Sequence, residues 1–147
     1  MPTADLDNSQ WKVGIRQVPP TVIRWRLDVA VPDPDRTFKI TVGFMFNHLA
    51  ANGMPDPSAE GPHMKAVQHD LEAVLASHGA LWVLSVTGQG NREWVAYAPS
   101  HEWVETWAPG FADRWFGEYT HKISVTRDPE WRTYRAFTGM PPAGAQN

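Results

Sequence analysis

The chain has 147 residues, with 13 basic, 16 acidic and six His residues, no Cys, and a formal net charge of −3. That is the size of one ordinary domain. The missing Cys excludes disulfides, Cys-ligated zinc, iron–sulfur clusters and a thiol nucleophile, and the acidic balance argues against nucleic-acid binding driven by bulk charge. The aromatic load is heavy: eight Trp, three Tyr and six Phe.

Residues 1–10 are polar and read as a disordered N-terminus. They lack the basic start and apolar run of a signal peptide. No segment approaches the roughly 20 apolar residues of a membrane span, so a soluble cytoplasmic protein is expected. Residues 11–15 alternate as a short strand, punctuated by Pro19-Pro20. Residues 21–31 place Ile23, Trp25, Leu27, Val29 and Val31 on one face, against Arg24, Arg26 and Asp28 on the other. Residues 38–47 alternate likewise, with Phe38, Ile40, Val42, Phe44 and Phe46 in phase. Joined by a turn at Pro32–Arg36, these two strands are predicted to form a hairpin.

A loop at residues 48–62 leads to a helix over 63–78, where Met64, Val67, Leu71, Val74 and Leu75 recur at helical spacing. Pro62 suits its first turn and Gly79 its C-terminal cap. Strands at 81–87 and 92–98 flank a Gly88-Gln89-Gly90-Asn91 hairpin loop. Ser100 is placed to cap a second helix carrying Trp103, Trp107, Phe111 and Trp115 as one core stripe, kinked or split at Pro109. A last strand spans 121–127, and residues 138–147 form a flexible tail.

From residue 38 the order is strand, helix, strand, strand, helix, strand. That predicts an α+β fold, a ferredoxin-like βαββαβ sandwich with an extra N-terminal strand or hairpin at an edge or beside the first core strand. Both helices would lie on one face. The other face would be covered by the N-terminal segment, a second subunit or a ligand.

Four sets of residues invite a functional reading. The Gly88–Arg92 loop can form an anion nest with Arg92 as a clamp, but without a Lys or a following helix it reads first as a plain hairpin tip, and next as a binding hairpin that presents Arg92. Glu93, Asp128 and Glu130 are acid–base candidates only if the fold gathers them. His63, His69 and His78 lie on one helix at spacings of six and nine, which put no pair on one face, and His48, His101 and His121 are scattered. No metal and no cofactor are expected from them; one His holding haem in a dimeric barrel is a minor alternative. The surplus Trp suits an interface. Ser85 and Ser100 lack any nucleophile context.

Gly53-Met54-Pro55 precedes the first helix. Thr87-Gly88-x-Gly90-x-Arg92-Glu93-Trp94-x-x-Tyr97 spans the second hairpin, and Asp128-Pro129-Glu130-Trp131-x-x-Tyr134 follows the last strand. In that order and spacing these resemble the bacterial DUF695 family, a domain of unknown function, over residues 11–137. That family looks distantly similar to the regulator of ribonuclease E activity B, an acidic ferredoxin-like protein that inhibits an RNase by binding it. The resemblance implies a fold and an interaction role, and carries over no catalytic residue.

The expectation is therefore a non-enzymatic protein-interaction or regulatory module, with a protein partner or a homodimer. Its candidate binding residues are Arg92, Glu93, Trp94, Tyr97, Asp128 and Trp131. Arg92 is expected to reach Asp128 across the sheet, and Trp131 and Tyr134 to cover a sheet edge. The alternative is a small-molecule-binding protein or enzyme with a pocket between the sheet and the 48–62 loop.

Overall fold

A computed structural model describes residues 10–140; the expected disordered start and tail fall almost wholly outside them. The chain runs β1 (Trp11–Gln17), β2 (Pro20–Arg26), β3 (Phe38–Met45), α1 (Pro57–Ser77), β4 (Leu81–Gly88), β5 (Asn91–Ala98), α2 (Glu102–Trp115), β6 (His121–Arg127) and α3 (Arg132–Thr138). This is an α+β fold. One antiparallel sheet of six strands has the order β1-β2-β4-β5-β3-β6. The expected ferredoxin-like sandwich is not confirmed as such, because two further strands extend the sheet and a third helix covers its other face.

The predicted pairing of residues 21–31 with 38–47 does not occur. β2 pairs with β1 and β4, and β3 lies beyond β4 and β5. The reason lies in the connection. Asp33 gathers it into a local knot, accepting from the Asp35 amide at 2.9 Å and from Arg36 Nη1 at 2.7 Å. The true hairpin turns at Val18-Pro19, with Gln17 opposite Pro20. β2 can then reach β4 because Gly88 has no side chain: a Cβ there would lie 2.5 Å from the Pro20 carbonyl oxygen.

α1 starts six residues earlier than predicted. Asp56 accepts the Ser58 amide at 3.1 Å as N-cap, and Pro57 takes the first helical position. Pro62 therefore lies inside the helix, in its exposed second turn. α2 is not split at Pro109 either. The carbonyl freed by the missing donor belongs to Glu105, an exposed residue on the solvent side of the helix. His101, not Ser100, occupies its N-cap, without a side-chain cap bond.

α1 and α2 cover one face, over Ile40, Val42, Phe44, Trp82, Trp94 and Ala96. From the helices, Val67, Leu71, Leu75, Val104 and Phe111 complete that core. Trp103, Trp107 and Trp115 only border it, half-buried, so the predicted core stripe is carried by Val104 and Phe111 alone. The second face holds Ile23, Val83, Val95 and Tyr97 beneath Trp131 and Tyr134. Part of the surplus aromatic surface is thus covered by α3, a helix the sequence pattern did not predict. Among the described residues, no helix is long and apolar enough to cross a membrane.

Candidate functional site

The closing motif works as an internal latch. Asp128 leaves β6 buried, and its carboxylate accepts from Tyr97 Oη at 2.7 Å, the Arg132 amide at 2.9 Å and the Thr133 amide at 3.2 Å. It therefore satisfies two orphan donors at the start of α3. Burial pushes the Asp128 carboxyl up, but these three hydrogen bonds and the Lys39 charge together outweigh it, leaving the group below its ordinary value. Burial, and then the bond to Asp128, drives the Tyr97 hydroxyl far above its usual range.

Trp131 stacks on Tyr97 with centroids 4.2 Å apart and planes 8° from parallel. Its indole N–H donates to the Arg36 carbonyl at 2.8 Å. To reach this position its backbone enters the left-handed region at φ 56°, a strain of about 1–3 kcal/mol for a bulky residue. Tyr134 donates to the Arg26 carbonyl at 2.6 Å, and the buried Arg135 donates to the Glu130 and Val31 carbonyls. Trp131 and Tyr134 thus cover a face of the sheet, not an edge. Trp94, the remaining aromatic candidate, is 1% exposed on the other face.

Arg92 and Glu93 do point to opposite faces. Arg92 lies on the α1 face, away from Asp128, so the expected pairing across the sheet is absent. Its Nη1 donates to Thr87 Oγ1 at 2.8 Å and its Nη2 to Gln68 Oε1 at 2.9 Å, and the guanidinium sits 5.0 Å over the Trp94 ring. Among the described residues no carboxylate pairs with it, and its Nε is buried without a hydrogen-bond partner. Desolvation first, and then the charge of Arg24, lower its pKa to about 10. Two cations are therefore held together at a partly dry site. Glu93 faces the second surface and lies against Gly43, where a Cβ would be 3.1 Å from its Cγ.

Beside Arg92 the sheet continues past the helix layer into the β1–β2 hairpin. The register sets Thr87 opposite Val22, Ser85 opposite Arg24, and Arg24 opposite Val13. Trp11, Val13, Ile15, Val22, Arg24 and Arg26 thus share the face that bears Arg92. Trp11 packs on Trp82 at 4.4 Å, under Arg24 at 5.1 Å and Arg26 at 4.9 Å. Val13 and Ile15 are 53% and 66% exposed. Residues 11–26 hold four basic and no acidic residues, and of these cations Arg26 pairs at 3.5 Å with Asp28 just beyond β2. Composition summed over the whole chain concealed this segregation; counting charge strand by strand reveals it.

The remaining candidates are structural or dispersed. Glu60, which no pattern singled out, is fully buried and accepts the Asn47 and His48 amides at 2.7 and 2.8 Å and the Tyr119 hydroxyl at 3.0 Å. It ties the end of β3 to α1. His63 stacks on Tyr119 and bonds the Trp115 carbonyl, while His78 stacks on Trp103. Among the described residues no three His, Asp or Glu side chains gather as a metal site requires. The 48–62 loop closes on itself through the Leu49–Pro55 bridge, and its Gly53 carbonyl accepts the Gly90 amide at 3.1 Å. An open pocket of about 280 Å³ lies elsewhere, lined by Arg127, Asp128, Pro129, Glu130 and Arg132. Its Arg132 and Glu130 already pair with each other at 3.1 Å.

In comparison with known proteins, the profile of a family described as "Family of unknown function (DUF695)" matches residues 9–138. No curated protein and no solved structure matches. The more distant similarity to the regulator of ribonuclease E activity B is not shown.

Proposed function

The chain belongs to the DUF695 family, a family of unknown function, and from that premise we propose that it is a non-enzymatic module that binds an acidic macromolecular partner through the β1–β2 hairpin. The observation that carries this reading is the charge-segregated hairpin, with Lys12, Arg16, Arg24 and Arg26 interleaved with Trp11, Trp25, Val13 and Ile15. Arg92, across β4 on the same face and level with Val22 and Ile15, adds a fifth cation. Exposed aliphatics beside cations stacked on indole suit a binding surface: the rings give apolar area, and the cations steer and select the partner. Of the six residues first picked out, Arg92 keeps a binding role in this reading. Tyr97, Asp128 and Trp131 hold α3 on the sheet, Trp94 fills the core, and Glu93 lies on the other face.

The small-molecule alternative has less support, since the 48–62 loop packs onto the β4–β5 turn. A direct test places a photo-crosslinking residue at Ile15 or at Thr126 on the opposite edge strand. Partner crosslinks are expected at position 15, to fall as salt is raised, and to vanish in K12E/R16E. Equal crosslinking at both positions would count against the hairpin.

A further inference from the structure

β1 ends the sheet, and its two faces differ in chemistry. Side chains alternate along the strand. Val13 and Ile15 stand exposed on the α1 face, and Lys12 and Arg16 stand exposed on the other. Gly14 between the two cations leaves room for the Trp25 ring, which would meet a Cβ there at 3.0 Å; Lys12 Nζ sits 5.6 Å over that ring.

The backbone has a matching asymmetry. Leu27 donates to the Gln10 carbonyl at 2.6 Å. In an antiparallel ladder hydrogen-bonded pairs alternate, and the register is unbroken from Trp11–Arg26 to Gln17–Pro20. The peptide groups of Lys12, Gly14 and Arg16 therefore face β2. Those of Trp11, Val13, Ile15 and Gln17 face outward.

Resting on the hairpin reading above, we propose that β1 receives an extended strand from an acidic partner, a segment of about seven residues in which acidic and aliphatic residues alternate. Its acidic side chains lie beside Lys12 and Arg16, and its aliphatic side chains extend the Val13–Ile15 surface. The outward amides and carbonyls supply the main-chain ladder. Charge decides the occupant. A second copy paired through β1 would set Lys12 and Arg16 against the same cations, which repel. Neutral strands gain nothing from those cations, so the charges that blunt the edge against aggregation also select the acidic partner.

The opposite edge shows what distinguishes β1. On β6, Ile123 and Val125 are half-buried against the core beneath α2, so that edge has no comparable exposed aliphatic row.

The test uses the full chain and three capped heptapeptides: alternating Glu and Val, the same composition with like residues blocked together, and the alternating peptide N-methylated on one edge. Binding is read by NMR titration and amide hydrogen exchange. The alternating peptide is expected to protect the Trp11, Val13, Ile15 and Gln17 amides and to bind about tenfold more weakly in 0.5 M salt than in 0.05 M. It is expected to lose binding to K12E/R16E and to I15P. Pro is tolerated at position 15 because its missing N–H faces outward. N-methylation on the pairing edge should abolish binding without altering the protein.

Equal binding of alternating and blocked peptides, both lost in K12E/R16E, would overturn strand addition and leave the hairpin reading standing. Shifts confined to residues outside 11–26 and Arg92 would overturn both. Self-association removed by V13E would assign the edge to a second copy and overturn the acidic partner.

Discussion

β5 carries two polar centres, one at each end and on opposite faces, and they are built in contrary ways. At Tyr97 the buried charge is a carboxylate with three donors, under a stacked indole whose backbone is strained to hold it there. At Arg92 the half-buried charge is a guanidinium with three neutral acceptors, Thr87, Gln68 and the Met64 sulfur, a neighbouring cation and an unpartnered Nε. Buried charges stabilise a fold only when paired and fully hydrogen-bonded. The first centre, with three hydrogen bonds to its carboxylate and the Lys39 charge nearby, comes closer to that condition and holds α3 on the sheet. The second has no charge partner among the described residues and sits beneath α1, on the face that continues across β4 into the β1–β2 hairpin.

Breaking the saturated centre should have the largest effect. Trp131→Ala removes a fully buried indole and should cost about 3–5 kcal/mol in urea unfolding. A loss below about 1 kcal/mol would mean that α3 contributes little to the fold.

Next is Asp128→Asn, which weakens the bonds to Tyr97 and to one of the two helix amides. A cost of about 1–3 kcal/mol is expected at neutral pH. The pH dependence has a definite sign. The native carboxyl lies below its ordinary value, so its stabilisation is present above about pH 4, the usual Asp value, and is lost as pH falls through the native value. The gap between wild type and D128N should therefore narrow in acid. A gap independent of pH would show that the carboxylate charge plays no part.

At the unsaturated centre the same kind of change should be mild. Arg92→Met replaces a desolvated cation by a chain of similar shape that still packs on Trp94. Its stability should change by less than about 1 kcal/mol, while partner binding weakens. If R92M unfolds the protein, the contrast between the two centres fails. Smallest of all, K12E/R16E should leave thermal stability within about 0.5 kcal/mol, because both side chains are exposed.

Alternation and helical spacing located β3, β6 and most of both long helices, since the period records their buried face, while β4 and β5, buried on both faces, read as near-continuous apolar runs bounded by the Gly88–Asn91 turn. They failed where a residue far away decides the outcome. β2 looked like the partner of β3 because both alternate and a proline-rich segment joins them. Which strand it pairs with depends on Gly88 and on the Asp33 knot, neither of which has a period. α3 spans seven residues, too short for periodicity to register, and exists because Asp128 caps it and Trp131 anchors it.

The binding candidates met the same limit. Tyr97, Asp128 and Trp131 could be grouped as motif residues but not recognised as contacts of one another. Arg92 and Asp128 are separated by the thickness of the sheet, which spacing along the chain does not encode.

By itself, then, the sequence determined the α+β composition, the absence of thiol chemistry, the β4–β5 hairpin and the phase of the strands other than β4, where a bulge between Trp82 and Leu84 sends those two side chains to opposite faces against simple alternation. These follow from local propensity and from which side of an element is apolar. Tertiary structure alone decided which edge strand ends the sheet, which Trp are interior and which border it, and that one charge cluster is closed while the other stays open. Those properties depend on which groups meet across the fold, and a buried charge is stable or unsatisfied only with respect to its neighbours in space.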